Sequence, residues 1–169
     1  MGHSHDAVGR LVAKDAHALA TARPYSYRDD ESVPRFPDDR PLIVFDGVCV
    51  LCSGFARFVA RHDTTRQFRF ATAQSPLGAA LFRHYGLDAV NYETNLLVAE
   101  GRVCGKLDAF AGIMTRLGGL RRAAAIVRLL PTPLGERLYD AIAQNRYALF
   151  GRTQTCAVPD ASWRDRVIG

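Results

Sequence analysis

A short apolar strand that leads directly into a pair of cysteines limits the possible folds of this chain more than any other feature. The run Leu42–Phe45 is wholly apolar and contains two β-branched residues, which is typical of a central strand buried on both faces. The dipeptide Asp46-Gly47 ends it with a turn, and beyond the turn one apolar helix face is formed by Leu51, Phe55, Phe58 and Val59. This spacing predicts a helix that reaches about His62, so Cys49 and Cys52 lie on a strand-to-helix turn.

The elements predicted after the cysteines complete a β-α-β-α-β-β-α order. Period-two alternation and helical stripes predict strands and helices at Phe68–Thr72, Leu77–Tyr85, Asn95–Ala99, Arg102–Lys106 and Leu107–Leu117. Gly86 is a suitable cap for the helix before it, and Glu100-Gly101 forms the tight turn of a hairpin. This order, with a C-x-x-C pair at the start of the first core helix, predicts an α/β thioredoxin-like fold.

Segments outside this core are predicted at both ends. We divide the chain into an N-terminal extension, a central domain and a tail, at residues 1–40, 41–158 and 159–169. Prolines and acidic residues leave room in the extension for little more than a short helix around Ala7–Ala22, and we expect it to wrap the surface or be mobile. The domain ends in an added helical segment, Leu120–Leu130 followed by Leu134–Leu149, because Pro131-Thr132-Pro133 prevents one continuous helix.

Composition places the chain among proteins with one hydrophobic core. Its 169 residues are 48% apolar and 23% charged, which argues against global disorder and against two full-sized enzyme domains. No run approaches the roughly 18 uninterrupted apolar residues of a membrane-spanning helix. The first residues lack the pattern of a secretory signal. We therefore expect a cytoplasmic protein whose four cysteines do not form a disulfide framework.

The net charge of +5 comes from the C-terminal part, since residues 101–169 carry 11 basic and 5 acidic side chains. The arginines are not interleaved with aromatic residues and no nucleic-acid-binding motif is present, so we expect no nucleic-acid partner. A binding module that docks a partner or an anionic surface is one alternative function, through Arg116, Arg121, Arg122, Arg128 and Arg137. The interpretation we favour for Leu120–Leu130 is an apolar stripe that faces the core, with Leu120 on it, and a solvated basic back.

The cysteine pair has the spacing that thiol-disulfide exchange requires. Cys49, at the first turn of a helix, has a thiolate stabilised by unpaired backbone N–H groups and by the helix dipole, which lowers its pKa. Cys52 lies about one turn further, where it can attack a mixed disulfide on Cys49. Asp46, three residues before Cys49, either accepts or relays a proton during exchange or caps the turn through its side-chain oxygen.

Two further alternatives involve no redox chemistry. The first is a structural zinc site, but the remaining thiols, Cys104 and Cys156, stand alone and form no second C-x-x-C pair. The second is an inert pair of cysteines that fill the core as small apolar groups. We interpret Cys104 as a strand residue that packs in the core or approaches the site, and Cys156 as a bystander or a relay thiol in the C-terminal part.

The segment Phe45–Cys52 resembles the DCC family of predicted thiol-disulfide oxidoreductases, which is named for its Asp-x-x-Cys-x-x-Cys motif. The resemblance extends over about residues 41–158, with accessory matches at Gly105–Ala109, Leu130-Pro131, Asn145–Tyr147, Phe150–Arg152 and Cys156. It implies a thioredoxin-like protein whose redox pair is Cys49 and Cys52. Unlike thioredoxins, the chain has no proline at 92–95, before the hairpin, and its intervening pair is Val50-Leu51.

These observations lead to one principal hypothesis. The chain is predicted to be an enzyme, a thiol-disulfide oxidoreductase that exchanges disulfides with a protein or a small thiol. We expect it to use no cofactor beyond its own cysteines, with Cys49 as nucleophile, Cys52 as the second thiol of a redox-active disulfide and Asp46 beside them.

Overall fold

The computed structural model describes residues 19, 21–92, 94–129, 131–153 and 162–169. Within these residues the chain forms four strands, namely β1 (Leu42–Phe45), β2 (Arg69–Thr72), β3 (Leu96–Ala99) and β4 (Arg102–Gly105). The α-helices are α1 (Val50–His62), α2 (Pro76–His84), α3 (Lys106–Leu117) and α4 (Thr132–Phe150). A long 3₁₀ helix spans Gly119–Leu129, and single 3₁₀ turns lie at Ser26–Arg28 and Arg164–Arg166.

The four strands form one mixed sheet in the order β2-β1-β3-β4. Strand β1 pairs in parallel with β2 and antiparallel with β3, and β3 pairs antiparallel with β4 across the hairpin turn. Every residue of β1 is buried, as the apolar run at this position predicts for a central strand. The predicted thioredoxin-like α/β fold with an added C-terminal helix is confirmed.

Alternation along β1 divides the core into two layers. Leu42 and Val44 pack on one face with apolar residues of α2, while Ile43 and Phe45 pack on the other with residues of α1 and α3. Helix α1 begins where the cysteine motif lies, so this second layer fixes the position of the motif against the sheet. None of the helices in the described part of the chain is both long and apolar enough to cross a membrane.

The segment after α3 differs from its prediction. The helix expected at Leu120–Leu130 is a 3₁₀ helix over Gly119–Leu129, and Pro131 then separates it from α4 as predicted. The expectation that Leu120 faces the core is wrong, because its side chain is 95% exposed. A 3₁₀ helix has three residues per turn, so side chains chosen at α-helical spacing no longer share one face.

The N-terminal extension contributes to the core from the point at which it is described. The helix predicted around Ala7–Ala22 lies almost entirely outside the described residues. Further along, Tyr27 and Val33 are buried in the layer that also contains α2, and the hydroxyl of Tyr27 donates to Asp38 at 2.8 Å. Burial and this hydrogen bond raise the pKa of Tyr27. This part of the extension therefore wraps the domain.

The last residues of the chain also pack against the sheet. Trp163 is buried among Phe45 and Phe70, with its ring edge-on to Phe70, and the N–H of Ile168 donates to the carbonyl of Phe70 at 2.8 Å. The buried Arg166 donates to Asp63 at 2.9 Å. The division into a domain and a tail at 159–169 stays a prediction, but Trp163 and Arg166 within that range are buried.

Replacing Trp163 by alanine is expected to destabilise the protein by about 3–5 kcal/mol, because it removes a large buried side chain and leaves a cavity. Urea unfolding followed by circular dichroism measures this loss. Trp163→Phe is the matched control, since it keeps an aromatic ring in the same layer and should cost clearly less. Equal stability of Trp163→Ala and the parent protein would show that these residues do not contribute to the core.

Candidate active site

The cysteine motif lies at the junction of β1 and α1. Cys49 is the N-cap residue of α1, and its sulfur accepts the backbone N–H of Cys52 at 3.3 Å. Gly47, on the preceding turn, lies so close to Thr72 that a Cβ there would come within 2.9 Å of the threonine methyl group. The turn can therefore approach β2 closely only because residue 47 is glycine.

The two thiols are close together but have different environments. Both are free cysteines; Cys49 is fully buried and Cys52 nearly so. The hydrogen bond from the Cys52 thiol, with a smaller contribution from the backbone N–H of Cys52, lowers the pKa of Cys49 to about 6. The same thiol–thiol hydrogen bond, together with burial, raises the pKa of Cys52. The opposite directions of the two pKa shifts favour the thiolate on Cys49 and the proton on Cys52.

Asp46 is buried behind the motif and accepts four hydrogen bonds. One carboxylate oxygen accepts the N–H of Val48 at 3.1 Å and the side-chain amide of Gln74 at 2.7 Å. The other accepts the guanidinium of Arg146 at 3.2 Å and the hydroxyl of Tyr147. The bond to Val48 is the turn cap, while the partners on α4 join the start of the motif to a helix about 100 residues later.

Arg146 connects the motif to the loop before β3. Its guanidinium also donates to the carbonyls of Asn91 and Tyr92 and, on its other side, to Ala143. Its charge lowers the pKa of Cys49, whereas the negative charge of Asp46 raises it. Burial and the bond to Asp46 raise the pKa of Tyr147 to about 12. The positive charge of Arg146 is therefore held close enough to the Cys49 sulfur to lower its pKa.

The sequence predicts Cys49, Cys52 and Asp46 at the site, and the structure brings these three residues together. It adds Arg146, Tyr147 and Gln74, for which the sequence pattern predicts no function. The family match at Asn145–Tyr147 was the sequence feature that could have pointed to Arg146 and Tyr147. Sequence alone does not show that these side chains face Asp46.

Cys104 lies in β4, and Lys106 begins α3. Cys104 is half-buried in β4 and packs against the core layer of α1 and α3. Lys106 forms an ion pair with Asp140 at 3.0 Å. Cys156 lies outside the described residues, and among those that are described no three metal-binding side chains come together.

The rate of Cys49 alkylation is expected to rise through a midpoint near pH 6 and to be constant above about pH 7.5. Thiolate alone reacts, and an ordinary cysteine reaches half its maximal rate only near pH 8.5. Iodoacetamide labelling with mass spectrometry measures the profile, and Cys104 in the same sample provides an internal comparison. A midpoint for Cys49 at or above pH 8 would contradict the described environment.

Fold and site together define a class: a mixed α/β protein of thioredoxin-like architecture with two cysteines on the first turn of its first core helix. The model of the DCC1-like thiol-disulfide oxidoreductases matches residues 43–152, and the chain belongs to this family. The resemblance inferred from the Asp-x-x-Cys-x-x-Cys motif is thereby confirmed. Membership in this family suggests a thiol-disulfide redox function.

Two curated relatives agree with this assignment. The uncharacterized protein YuxK of Bacillus subtilis (strain 168) is 30% identical over 127 residues, which cover 75% of this chain and 93% of that protein. A chloroplastic DCC family protein of Arabidopsis thaliana is 36% identical over 120 residues, 70% of each chain. No solved structure matches the chain.

Proposed function

We propose that this protein is an enzyme that catalyses thiol-disulfide exchange through Cys49 and Cys52. The thiolate of Cys49 attacks one sulfur of a substrate disulfide, and the other substrate sulfur leaves as a thiolate. The sulfur of Cys52 then attacks Cys49, a Cys49–Cys52 disulfide forms and the second substrate thiol is released with the proton of Cys52. The substrate gains two electrons and the enzyme loses them, and a dithiol reductant restores the enzyme.

The observation that carries this proposal is the asymmetry of the pair. A buried thiol with a raised pKa donates a hydrogen bond to a neighbour whose pKa it lowers, so one sulfur is ready to attack while the other keeps its proton. Structural or inert cysteines have no need of such a difference. The position of Cys49 at the N-terminus of α1 adds the stabilising field of the helix.

Turnover with hydroxyethyl disulfide, with dithiothreitol as the reductant, tests this activity. The purified protein should accelerate the reaction above the uncatalysed rate, and Cys49→Ser should give no acceleration. A rate that does not depend on Cys49 would overturn the proposal.

We propose that Asp46 acts as a positioning residue and that it does not relay protons. Its four hydrogen bonds occupy all the acceptor positions that a carboxylate offers, so none remains for a thiol. The bonds instead hold the turn before Cys49 against α4. Asp46 also limits how far Arg146 can lower the pKa of Cys49.

Asp46→Asn is expected to lower the pKa of Cys49 further, because it removes a negative charge near the thiolate and leaves the charge of Arg146 in place. The measurement is again the pH profile of Cys49 alkylation, after circular dichroism has shown that the variant is folded. If Asp46 were the proton acceptor for Cys49, labelling at pH 7 would become slower and its midpoint would rise. That outcome would show that Asp46 accepts the proton of Cys49 and would contradict its proposed positioning role.

The alternative function, a module that docks through its basic helices, stays a prediction. Arg116 is already paired with Glu100 at 3.0 Å, whereas Arg122 and Arg137 are exposed. Binding to anionic vesicles that weakens with salt would support it. We propose that the protein is cytoplasmic.

A further inference from the structure

The segment after α4 lies alongside the cysteine motif. We call Gly151–Thr153 the strap. The N–H and hydroxyl of Thr153 donate to the carbonyl of Val48, at 2.9 and 3.2 Å, and the N–H of Val50 donates to the carbonyl of Gly151 at 3.4 Å. Cys49 and Arg152 face each other between these bonds as an antiparallel β-bridge. The strap is thus a one-residue strand paired with the active-site turn.

The turn paired with the strap holds a buried cysteine. Cys49 is 0% exposed, although disulfide exchange requires a substrate sulfur to approach it to bonding distance, about 2.05 Å. Gly151 begins the strap with φ = 87° and ψ = 168°, a conformation that glycine alone adopts readily, and so turns the chain from α4 onto the motif. Cys49 must therefore become exposed before it can react, and the strap is paired with the residues on both sides of it.

The position of Arg152 in the strap is one that a substrate cysteine could occupy. Cys49 and Arg152 form the type of antiparallel pair whose hydrogen bonds are made by the neighbouring residues, and Cα atoms in such pairs are about 4.5 Å apart. Disulfide-bonded cysteines have Cα separations of about 4.4–6.8 Å. A cysteine that occupied the place of Arg152 in an extended chain would therefore lie within disulfide range of Cys49.

The surroundings favour a polypeptide over a small thiol. Val50 and Leu51 are exposed on the motif, and Leu149 and Phe150 are exposed just before the strap. When the strap leaves, Val48 and Val50 lose their backbone hydrogen-bond partners. A peptide can supply new backbone partners, and its side chains can cover the exposed apolar residues. A small disulfide supplies neither, so its reaction with Cys49 depends on spontaneous opening of the strap.

We propose that the strap holds the place of the substrate, and that the substrate is a cysteine-containing polypeptide segment that displaces it. The segment pairs in extended form with Val48 and Val50, and its cysteine takes the position of Arg152. Cys49 then forms the mixed disulfide with that cysteine and the former partner sulfur leaves as a thiolate. This inference rests on the proposed exchange activity and names its substrate class.

Two synthetic peptides test the pairing. Both carry the sequence of residues 148–153 with the change Arg152→Cys, and the cysteine is a mixed disulfide with thionitrobenzoate, whose release is followed by absorbance. In one peptide the backbone nitrogen of the threonine is methylated. This peptide therefore lacks the N–H that would donate to the carbonyl of Val48 in place of the N–H of Thr153. Reaction with dithiothreitol alone shows that the two peptides have the same intrinsic reactivity.

With the Cys52→Ser protein, we expect the unmethylated peptide to react with Cys49 about tenfold faster than the methylated one, since one hydrogen bond separates them. Equal rates would overturn the inference while leaving the exchange activity intact. If Cys49 reacts neither with these peptides nor with hydroxyethyl disulfide, the proposed function itself fails.

A change in the strap tests the closure separately. Thr153→Pro removes the N–H donor to Val48 and is expected to speed alkylation of Cys49 by about tenfold. Thr153→Ala, which keeps that N–H, is the matched control and should lie closer to the parent rate. If Thr153→Pro labels no faster than Thr153→Ala, the strap does not close the site.

Discussion

Serine in place of Cys49 is expected to abolish disulfide exchange, whereas serine in place of Cys52 should trap the mixed disulfide. A serine hydroxyl is not ionised at neutral pH, so Cys49→Ser should lower the exchange rate by a factor of at least about 10³. Cys52→Ser keeps a nucleophile at position 49 but lacks the thiol that releases the substrate. Intact mass spectrometry with a peptide disulfide distinguishes the two results.

The variant Cys104→Ser is the matched control, because it removes a half-buried cysteine from β4 and should leave the rate and the products unchanged. A trapped substrate on Cys52 in the Cys49→Ser protein would reverse the two assigned roles. Equal activity of all three variants and the parent would exclude the pair from the chemistry.

Replacing Arg146 by methionine is expected to destabilise the protein by about 3–5 kcal/mol. Arg146 and Asp46 are both buried, so the substitution leaves a carboxylate inside the protein without its cation, and it also removes the donors to the loop before β3. Urea unfolding at pH 7 measures the change. Because the positive charge near Cys49 disappears as well, the pKa of that thiol should rise.

Arg137→Met is the control, since Arg137 lies on the same helix but is exposed and should change stability by no more than about 0.5 kcal/mol. The double variant Asp46→Asn with Arg146→Met should lose less free energy of unfolding than the two single variants lose together, because it leaves no unpaired buried charge. A loss below about 1 kcal/mol for Arg146→Met would show that this pair behaves as a surface ion pair.

Local pattern was sufficient to predict the sheet, the helix that follows β1 and the position of Cys49 and Cys52 at the start of that helix. These features depend on residues close together in the sequence, where side-chain periodicity and the helix N-terminus act directly. The resemblance at Asp-x-x-Cys-x-x-Cys supported the same fold. Asp46 was predicted beside the pair, but its two possible roles could not be separated without its partners.

Long-range contacts could not be predicted in the same way. Arg146 and Tyr147 reach Asp46 only because α4 packs back over the motif, and no periodicity within α4 reveals which of its residues are turned inward. The strap pairs with Val48 and Val50 for the same reason. The exposure of Leu120 depends on the helix being 3₁₀, and an apolar stripe does not specify the number of residues per turn.

The central claim is that Cys49 and Cys52 form a reversible redox pair. Equilibration in a series of glutathione buffers, followed by rapid alkylation and peptide mass spectrometry, measures the linkage and its midpoint potential together. The account predicts a single intramolecular Cys49–Cys52 disulfide that forms and breaks reversibly across the series, with Cys104 unchanged. Thiols that remain reduced at every ratio, or that pair with other cysteines instead, would contradict it.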